Sequence, residues 1–447
     1  MVYKMSIKLS DHFTYPKLLR FIFPSVVMMI FTSIYGVVDG LFVSNFAGKT
    51  AFASINLVMP FVMVLGGIGF MIGTGGTALV SKVLGEGDRE KANRYFTMMI
   101  IFTVALGALL SAIGVIFMPG VSRFLGATDE MIADCILYGR IVTGFTVTFM
   151  LQNVFQSFFI AAEKPKLGLY ITVISGVANM ILDAVFVAVF EWGIVGAAVA
   201  TGISQLVGGV LPLIYFMRDN SGLLRLTKTK LEIKPIIKAC GNGSSELMSN
   251  ISSSFVSMIY NFQLIKYAGE DGVSAYGVLM YVQFIFIAIS IGYSIGSAPI
   301  IGYNFGAKNN AELKNMLKKS VLFTVSSGIV LTGLAVALSG PMAKIFVGYD
   351  EALFNLTKHA FKIFAYSFLL AGFNIFISSF FTALNNGAVS AAISFVRTLI
   401  FQSSSVLLLP IFLGIDGIWW AITVAETFAF VFSMIFLVIK RKRYHYF

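Results

Sequence analysis

Five ionisable side chains lie inside long apolar stretches of this sequence: Asp39, Asp183, Glu246, Arg397 and Glu426. A charge at bilayer depth costs at least about 2–3 kcal/mol unless it meets a partner or faces a polar cavity. Such residues therefore mark candidate sites for ions or substrates, or buried ion pairs.

Asp39 and Asp183 form the strongest of these candidate sites. Counted along helices at about 1.5 Å per residue, Asp39, Asp183 and Thr201 lie about 6–12 Å below the same membrane boundary. Oxygen ligands suit a hard cation such as Na⁺. Two neighbouring carboxyl groups also suit a proton, because burial and like charge favour the protonated form of one of them. We therefore expect a cation-coupling site here, for H⁺ or Na⁺.

The remaining three ionisable residues lie in the second half of the chain and are secondary candidates. Glu246 follows a polar segment and lies nearer the cytoplasmic end of its helix, and two interpretations stay open for it: a locally paired acid or a second site. Arg397 and Glu426 lie on different apolar stretches and are candidates for an ion pair between two helices. The cation-coupling chemistry is therefore expected in the first half.

The composition requires lipid as the main solvent. Of the 447 residues, 57% are hydrophobic and 12% are charged, and the mean hydropathy is +0.87. Soluble domains contain roughly 45–50% apolar and 25% charged residues. These values exclude an ordinary soluble enzyme, a disordered protein and a nucleic-acid-binding domain. The net charge of +11 resides in short loops between apolar stretches, so it indicates topology and predicts no nucleic-acid partner.

Stretches of about 20 apolar residues, long enough to cross a bilayer, predict an all-α polytopic protein with twelve transmembrane helices. The predicted spans are 18–43, 51–83, 96–118, 135–161, 167–190, 193–217, 236–267, 273–305, 317–340, 359–384, 388–412 and 416–439. With the N-terminus inside, about three quarters of the 32 Lys and Arg residues fall in inside segments, as the positive-inside rule requires. Both termini are therefore predicted to be cytoplasmic.

The chain repeats itself at an offset of about 221 residues. Leu84–Asp88 matches Phe305–Asn309, and Gly193–Gly196 matches Gly414–Gly417. Each half holds six spans, so the two six-helix bundles share one orientation and are related by a pseudo-two-fold axis along the membrane normal. The predicted units are an N-terminal lobe, a basic cytoplasmic linker and a C-terminal lobe, over residues 1–220, 221–235 and 236–447.

Methionine is flexible and suits binding sites that accept several substrates. Met28, Met63 and Met150, on the first, second and fourth spans, are therefore candidate substrate-binding residues in a cavity between the lobes.

An ordered series of motifs adds a family resemblance. The motifs are Pro24, Asp39-Gly-Leu-Phe-Val, Pro60, Gly85-Glu-Gly-Asp, Asn179-x-x-x-Asp183 and Gly193-Ile-x-Gly-Ala-Ala-x-Ala-Thr201. In this order, with twelve spans and a six-plus-six repeat, the sequence resembles the multidrug and toxic compound extrusion (MATE) transporters over nearly its whole length. The resemblance is strongest to bacterial and archaeal members with a cation site in the N-terminal lobe.

The resemblance implies a cation-coupling site, which is a metal site if the ion is Na⁺, and substrate contacts beside it. The implied cation ligands are Asp39, Asn179, Asp183 and Thr201, and the implied substrate contacts are Tyr35, Gln152 and Gln156. It also implies a monomeric exporter of amphipathic, often cationic, drugs in a prokaryotic plasma membrane. Export would exchange the drug for inward H⁺ or Na⁺ by alternating access among membrane lipids, without a cofactor.

Two other classes of function are weighed against an exporter. A flippase for a lipid-linked precursor belongs to the same superfamily, but it would need a cavity rich in Arg and Lys, and Arg397 alone is embedded. An enzyme lacks support because the histidines, His12, His359 and His445, lie in the tails or at a span end. We therefore predict a protein that is not an enzyme.

Overall fold

The computed structural model describes residues 7–446 of the chain. Within these residues the chain forms long helices joined by short connections, and no strand is present. Ten helices are each long and apolar enough to cross a membrane. An eleventh span consists of two shorter helices joined by a bend of 54°.

The helix Ile233–Gly306 is one of these ten, but it is broken at Gly269 and contains two spans. Gly269 has φ of 61° and ψ of −148°, a conformation that glycine adopts readily because it lacks a Cβ. A straight helix of 74 residues would extend about 110 Å, far beyond a bilayer core of about 30 Å. Counted this way, residues 7–446 contain the twelve spans that the sequence predicts.

We number the spans in chain order. The first six are α1 (Tyr15–Ala47), α2 (Thr50–Gly85), α3 (Arg89–Phe124), α4 (Ile132–Gly144 with Thr146–Ala161), α5 (Pro165–Val189) and α6 (Gly193–Met217). The second six are α7 (233–268), α8 (270–306), α9 (Asn310–Val347), α10 (Glu351–Ala383), α11 (Gly387–Leu413) and α12 (Ile415–Tyr444).

Large apolar side chains cover the outer surfaces of these helices. Phe124 is 89% exposed, Phe412 80% and Phe262 70%. Side chains of this size at such exposure are unfavourable in water but favourable in hydrocarbon. The outer surface of the bundle is therefore the surface that lipid covers, and the protein is a multi-pass membrane protein.

The internal repeat appears as contacts that are images of one another. The Cα of Gly85 packs against the backbone of Tyr303, and the Cα of Gly306 packs against the backbone of Lys82. Adding the offset of about 221 to Gly85 gives Gly306, and subtracting it from Tyr303 gives Lys82. The first contact is thereby converted into the second. Such reciprocal contacts are the signature of a two-fold relation.

These contacts lie at the end of the bundle that carries Lys82–Arg94 and Arg218–Lys238, which we call the basic end. Both ends of the described chain meet there. Leu9 and Phe13 are fully buried in the same core cluster as Tyr444 and Tyr446. The two termini therefore lie on the same side of the membrane, as an even number of spans requires.

The two halves share their packed cores at the basic end and separate toward the opposite end. At the basic end, Phe21 and Met29 of α1 pack with Tyr293 and Phe376 of the second half. At the opposite end, one core cluster contains only residues 43–198 and another contains only residues 256–422. The space between the halves therefore opens away from the basic end.

The predicted linker, residues 221–235, packs on the start of α3. Arg89 donates to the carbonyl oxygens of Gly222 and Leu223, at 2.9 Å each. Asn93 and Thr97 accept backbone N–H groups of Arg225 and Thr227 at 3.0 Å. The chain then enters α7 at Ile233.

Candidate functional site

The candidate cation site depends on the close approach of α1 and α5, which run parallel. Gly176 of α5 permits this approach, because a Cβ there would lie 2.5 Å from Phe31 and 2.9 Å from Tyr35 of α1. One to two turns further along both helices, the approach brings Asp39 beside Asp183.

The carboxyl groups of Asp39 and Asp183 lie within hydrogen-bonding range of each other, so a bond forms between them when one carries a proton. Asp183 is 0% exposed. Among residues 7–446, no N–H or O–H group reaches either carboxyl oxygen of Asp183 or the Oδ1 atom of Asp39. A buried carboxylate without a donor is strongly unfavourable, so this pair needs a proton or a cation.

Further oxygen atoms surround the pair. Asn179, one turn before Asp183, is 2% exposed, and its Oδ1 has no donor among the described residues. Tyr138 of α4 is buried and lies close enough to both carboxyl groups to sense their charge. Tyr138 was missed by the sequence analysis, because a single Tyr in an apolar span is a weak signal.

Thr201 lies at the same depth as Asn179. The helices α5 and α6 are antiparallel, and two contacts fix their register. Ser175 Oγ donates to the carbonyl of Ser204 at 2.6 Å, and Gly196 packs against the backbone of Phe186. Interpolating between them places Thr201 level with Asn179, half-buried on the neighbouring helix.

Both acidic residues of the pair lie next to irregular helical turns. A π-helical stretch, Ala184–Val189, begins directly after Asp183, and another, Val43–Ala47, follows Asp39 within one turn. π-Helical turns are rare and occur frequently at functional sites. In these turns, i→i+5 hydrogen bonds replace the i→i+4 bonds of the α-helix beside both carboxyl groups.

The structure places the candidate substrate residues in several surroundings. Tyr35 lies beside Asp39. Gln152 and Gln156 are buried and line a narrow cleft inside the first lobe, about 12 Å from Asp183 along α5. The Nε2 atom of Gln152 lies 3.5 Å from Ser175 Oγ. The structure therefore does not bring the two glutamines to the carboxyl pair.

The three candidate methionines are also dispersed. Met28 is 1% exposed and packs in the core shared by α1 and the second half. Met150 is 0% exposed and packs in the core of the first lobe. Met63 is 47% exposed. In this conformation only Met63 is accessible, because the other two are enclosed by packed side chains.

Arg397 and Glu426 form the ion pair that the sequence suggested. The guanidinium donates to the carboxylate at 2.7, 2.9 and 3.0 Å. The Nδ2 atom of Asn374 donates to the same carboxylate at 2.7 Å. Subtracting the repeat offset of about 221 takes Glu426 to Gln205 of the first lobe. The second lobe therefore has a charged residue where the first lobe has an uncharged amide.

Glu246 of α7 is half-buried. Its backbone carbonyl accepts from Asn250 at 2.8 Å. Within the described part of the chain its carboxylate has no ion-pair partner. Glu246 thus takes part in neither the Asp39–Asp183 pair nor the Arg397–Glu426 pair.

A cluster at the basic end was missed by the sequence analysis. The N–H of Leu9 donates to Glu163 at 2.6 Å, and Glu312 accepts from the N–H of Phe13 at 3.0 Å and contacts His12 Nδ1 at 2.7 Å. Glu163 belongs to the first half and Glu312 to the second, so the segment before α1 ties the halves together. Burial raises the pKa of Glu163, although the bond from Leu9 acts in the opposite direction.

Comparison with known proteins identifies the family. The MatE family model matches the chain twice, over residues 24–185 and 247–404, one match in each half of the repeat. The multidrug export protein MepA of Staphylococcus aureus is 24% identical over 431 residues, covering 95% of this chain and 94% of MepA. MepA of Staphylococcus saprophyticus is likewise 24% identical over 431 residues, with the same coverage.

Solved structures show the same fold. A structure described as MATE in complex with MaL6 superposes with a TM-score of 0.90 at 19% identity, covering 95% of this chain and 96% of that one. An outward-facing multidrug resistance MATE family transporter of the MOP superfamily superposes with a TM-score of 0.89 at 20% identity and the same coverage. Because the family model covers most of the chain, this protein belongs to the MatE family: it is a multidrug efflux transporter and not an enzyme.

Proposed function

We propose that this protein exports amphipathic, often cationic, organic compounds in exchange for inward H⁺ or Na⁺, with coupling at Asp39 and Asp183. The observation that carries the proposal is the fully buried carboxyl group of Asp183, whose oxygens have no donor among the described residues. Only a proton, a cation or a change of conformation relieves that state. Ion binding at Asp39 and Asp183 thus affects the conformation of the first lobe.

In this proposal, Asn179, Thr201 and Tyr138 supply further oxygen atoms at the depth of the carboxyl pair. A proton needs only the two carboxyl groups, whereas Na⁺ needs several oxygen ligands. Protonation or Na⁺ binding removes the unfavourable charge and permits α1 to approach α5 more closely. An approaching drug cation competes for the same negative charge through Tyr35 and Asp39.

Alternating access is proposed to occur between an N-terminal lobe at residues 1–220 and a C-terminal lobe at 236–447, joined by the linker 221–235. The shared cores at the basic end and the separate cores at the other end support this division. We place the basic end and both termini in the cytoplasm of a prokaryotic cell. We propose that the protein works as a monomer surrounded by plasma-membrane lipids and needs no cofactor.

A flippase for a lipid-linked precursor receives no specific support. Arg397, the embedded basic residue that would bind a pyrophosphate, is already paired with Glu426. An anionic headgroup would have to displace that carboxylate. The names of the MepA relatives also concern export of drugs.

The proposal is tested by ethidium transport in everted membrane vesicles, with the Na⁺ gradient and the pH gradient imposed separately. The wild type should accumulate ethidium when one gradient runs from the lumen outward, and the effective gradient identifies the ion. Asp39→Asn and Asp183→Asn should each abolish this gradient-driven uptake at matched expression.

Asp129→Asn is the matched control, because it makes the same chemical change at a carboxylate that is 91% exposed. It should transport at the wild-type rate. Wild-type transport in both Asp39→Asn and Asp183→Asn would exclude this site as the coupling site.

A further inference from the structure

An apolar groove lies at the basic end between α3 of the first half and the start of α7 of the second half. It has a volume of about 590 Å³ and is lined by Phe102 of α3 and by Ile233, Ile237 and Cys240 of α7, among others. The volume falls within the range of about 300–1,000 Å³ typical of ligand cavities. The groove is separate from the carboxyl pair and from Arg397–Glu426.

Two lysines directly follow residues of α7 that line the groove. Ile233 and Ile237 are four residues apart and share one face of α7, and Lys234 and Lys238 form the adjacent stripe. Both lysines are exposed. No salt bridge to either lysine occurs within residues 7–446.

Positive charge is concentrated beside this stripe. Lys238 lies within electrostatic range of Lys82, Lys91 and Glu86. Glu86 Oε1 lies 3.5 Å from Lys82 Nζ, so Glu86 pairs with Lys82. Among these four residues, Lys91 and Lys238 therefore have no carboxylate partner. Like charges gathered in this way attract an anion.

We propose that this groove binds an anionic phospholipid of the membrane leaflet at the basic end. An acyl chain would lie along Phe102, Ile233 and Ile237, and the phosphate would meet Lys234 and Lys238. Charge complementarity selects this occupant, because basic pockets beside transmembrane helices bind anionic headgroups while apolar walls accept hydrocarbon. A neutral phospholipid would gain the apolar contacts alone.

The position of the groove gives the lipid a role in transport, a consequence that rests on the proposed function. Because α3 and α7 belong to different halves, a lipid between them contacts both. It would favour the conformation in which the two helices have their present spacing. The lipid content of the membrane would then set the balance between conformations.

Binding is measured by native mass spectrometry of the full-length protein titrated with phosphatidylglycerol or phosphatidylcholine. Wild type should bind phosphatidylglycerol more tightly. Lys234→Gln with Lys238→Gln should raise the Kd for phosphatidylglycerol about thirtyfold and leave phosphatidylcholine unchanged. Lys314→Gln with Lys318→Gln is the matched control, since these exposed lysines are also four residues apart.

A second variant fills the groove without changing charge. A Cβ at Gly241, which also lines the groove, meets no atom within 4 Å, so Gly241→Phe should fold and should exclude the acyl chain. Gly333→Phe is its control, because that glycine also faces open space in a helix. Two results would overturn the proposal. One is an equal loss of phosphatidylglycerol affinity in the two lysine double variants, and the other is unchanged phosphatidylglycerol binding in Gly241→Phe. Since binding is measured without transport, failure of the coupling proposal does not affect this result.

Discussion

Replacing Arg397 by Met tests how the second lobe holds a charge inside the membrane. Methionine keeps much of the apolar stem but removes the guanidinium, which makes three contacts of 2.7–3.0 Å with Glu426. The side chain of Glu426 is 1% exposed, so water cannot replace the lost partner. Asn374 would remain as its donor.

The magnitude follows from this burial. Breaking a buried ion pair on one side destabilises a protein by about 3–5 kcal/mol, because it leaves an uncompensated charge. Glu426→Gln should cost less. The side chain of Arg397 is 14% exposed, and the Gln carbonyl can still accept from it and from Asn374.

A double-mutant cycle separates the pair from its surroundings. The variant Arg397→Met with Glu426→Gln should be more stable than the sum of the two single losses predicts, because no unpaired charge remains. The free energy of unfolding would be measured by reversible SDS titration in mixed micelles. If the two single losses add to within about 0.5 kcal/mol, the pair is not coupled and the reasoning is wrong.

Three further predictions concern other parts of the chain. Glu246→Gln should reduce gradient-driven ethidium transport less than Asp39→Asn, because Glu246 has no second carboxylate beside it; an equal or greater loss would indicate coupling in the second lobe. Gly176→Leu should abolish transport and lower thermal stability, since its side chain would overlap α1; wild-type melting would show that the helices do not approach there. The native state of the wild type holds the proton of Glu163 more tightly than the unfolded chain does, because its pKa is raised. As pH rises from the ordinary Glu pKa through that raised pKa, the wild type therefore loses stability. Glu163→Gln has no such proton to lose, so its stability relative to wild type should increase over the same range. Melting temperatures of both proteins across that range measure the effect, and a difference independent of pH would contradict it; the Gln carbonyl can still accept from Leu9.

Several features were predictable from the sequence because they depend only on how far each residue lies along its helix. Helix length and rise determine how many spans the chain contains and how deep each residue lies. This is why the twelve spans, the common end of the termini and the similar depth of Asp39 and Asp183 were predictable. The pairing of Arg397 with Glu426 was also predictable, because few partners exist for a charge in hydrocarbon.

Tertiary structure decided which of these residues meet. Depth says nothing about how a helix is rotated or which neighbour it contacts, and those depend on packing between residues distant in sequence. Gly176 sets the approach of α1 to α5, and Tyr138 reaches the carboxyl pair from a third helix. Packing also encloses Gln152 and Met150, which depth alone would leave as cavity residues. A site formed by several helices therefore depends on the lateral contacts that only the fold provides.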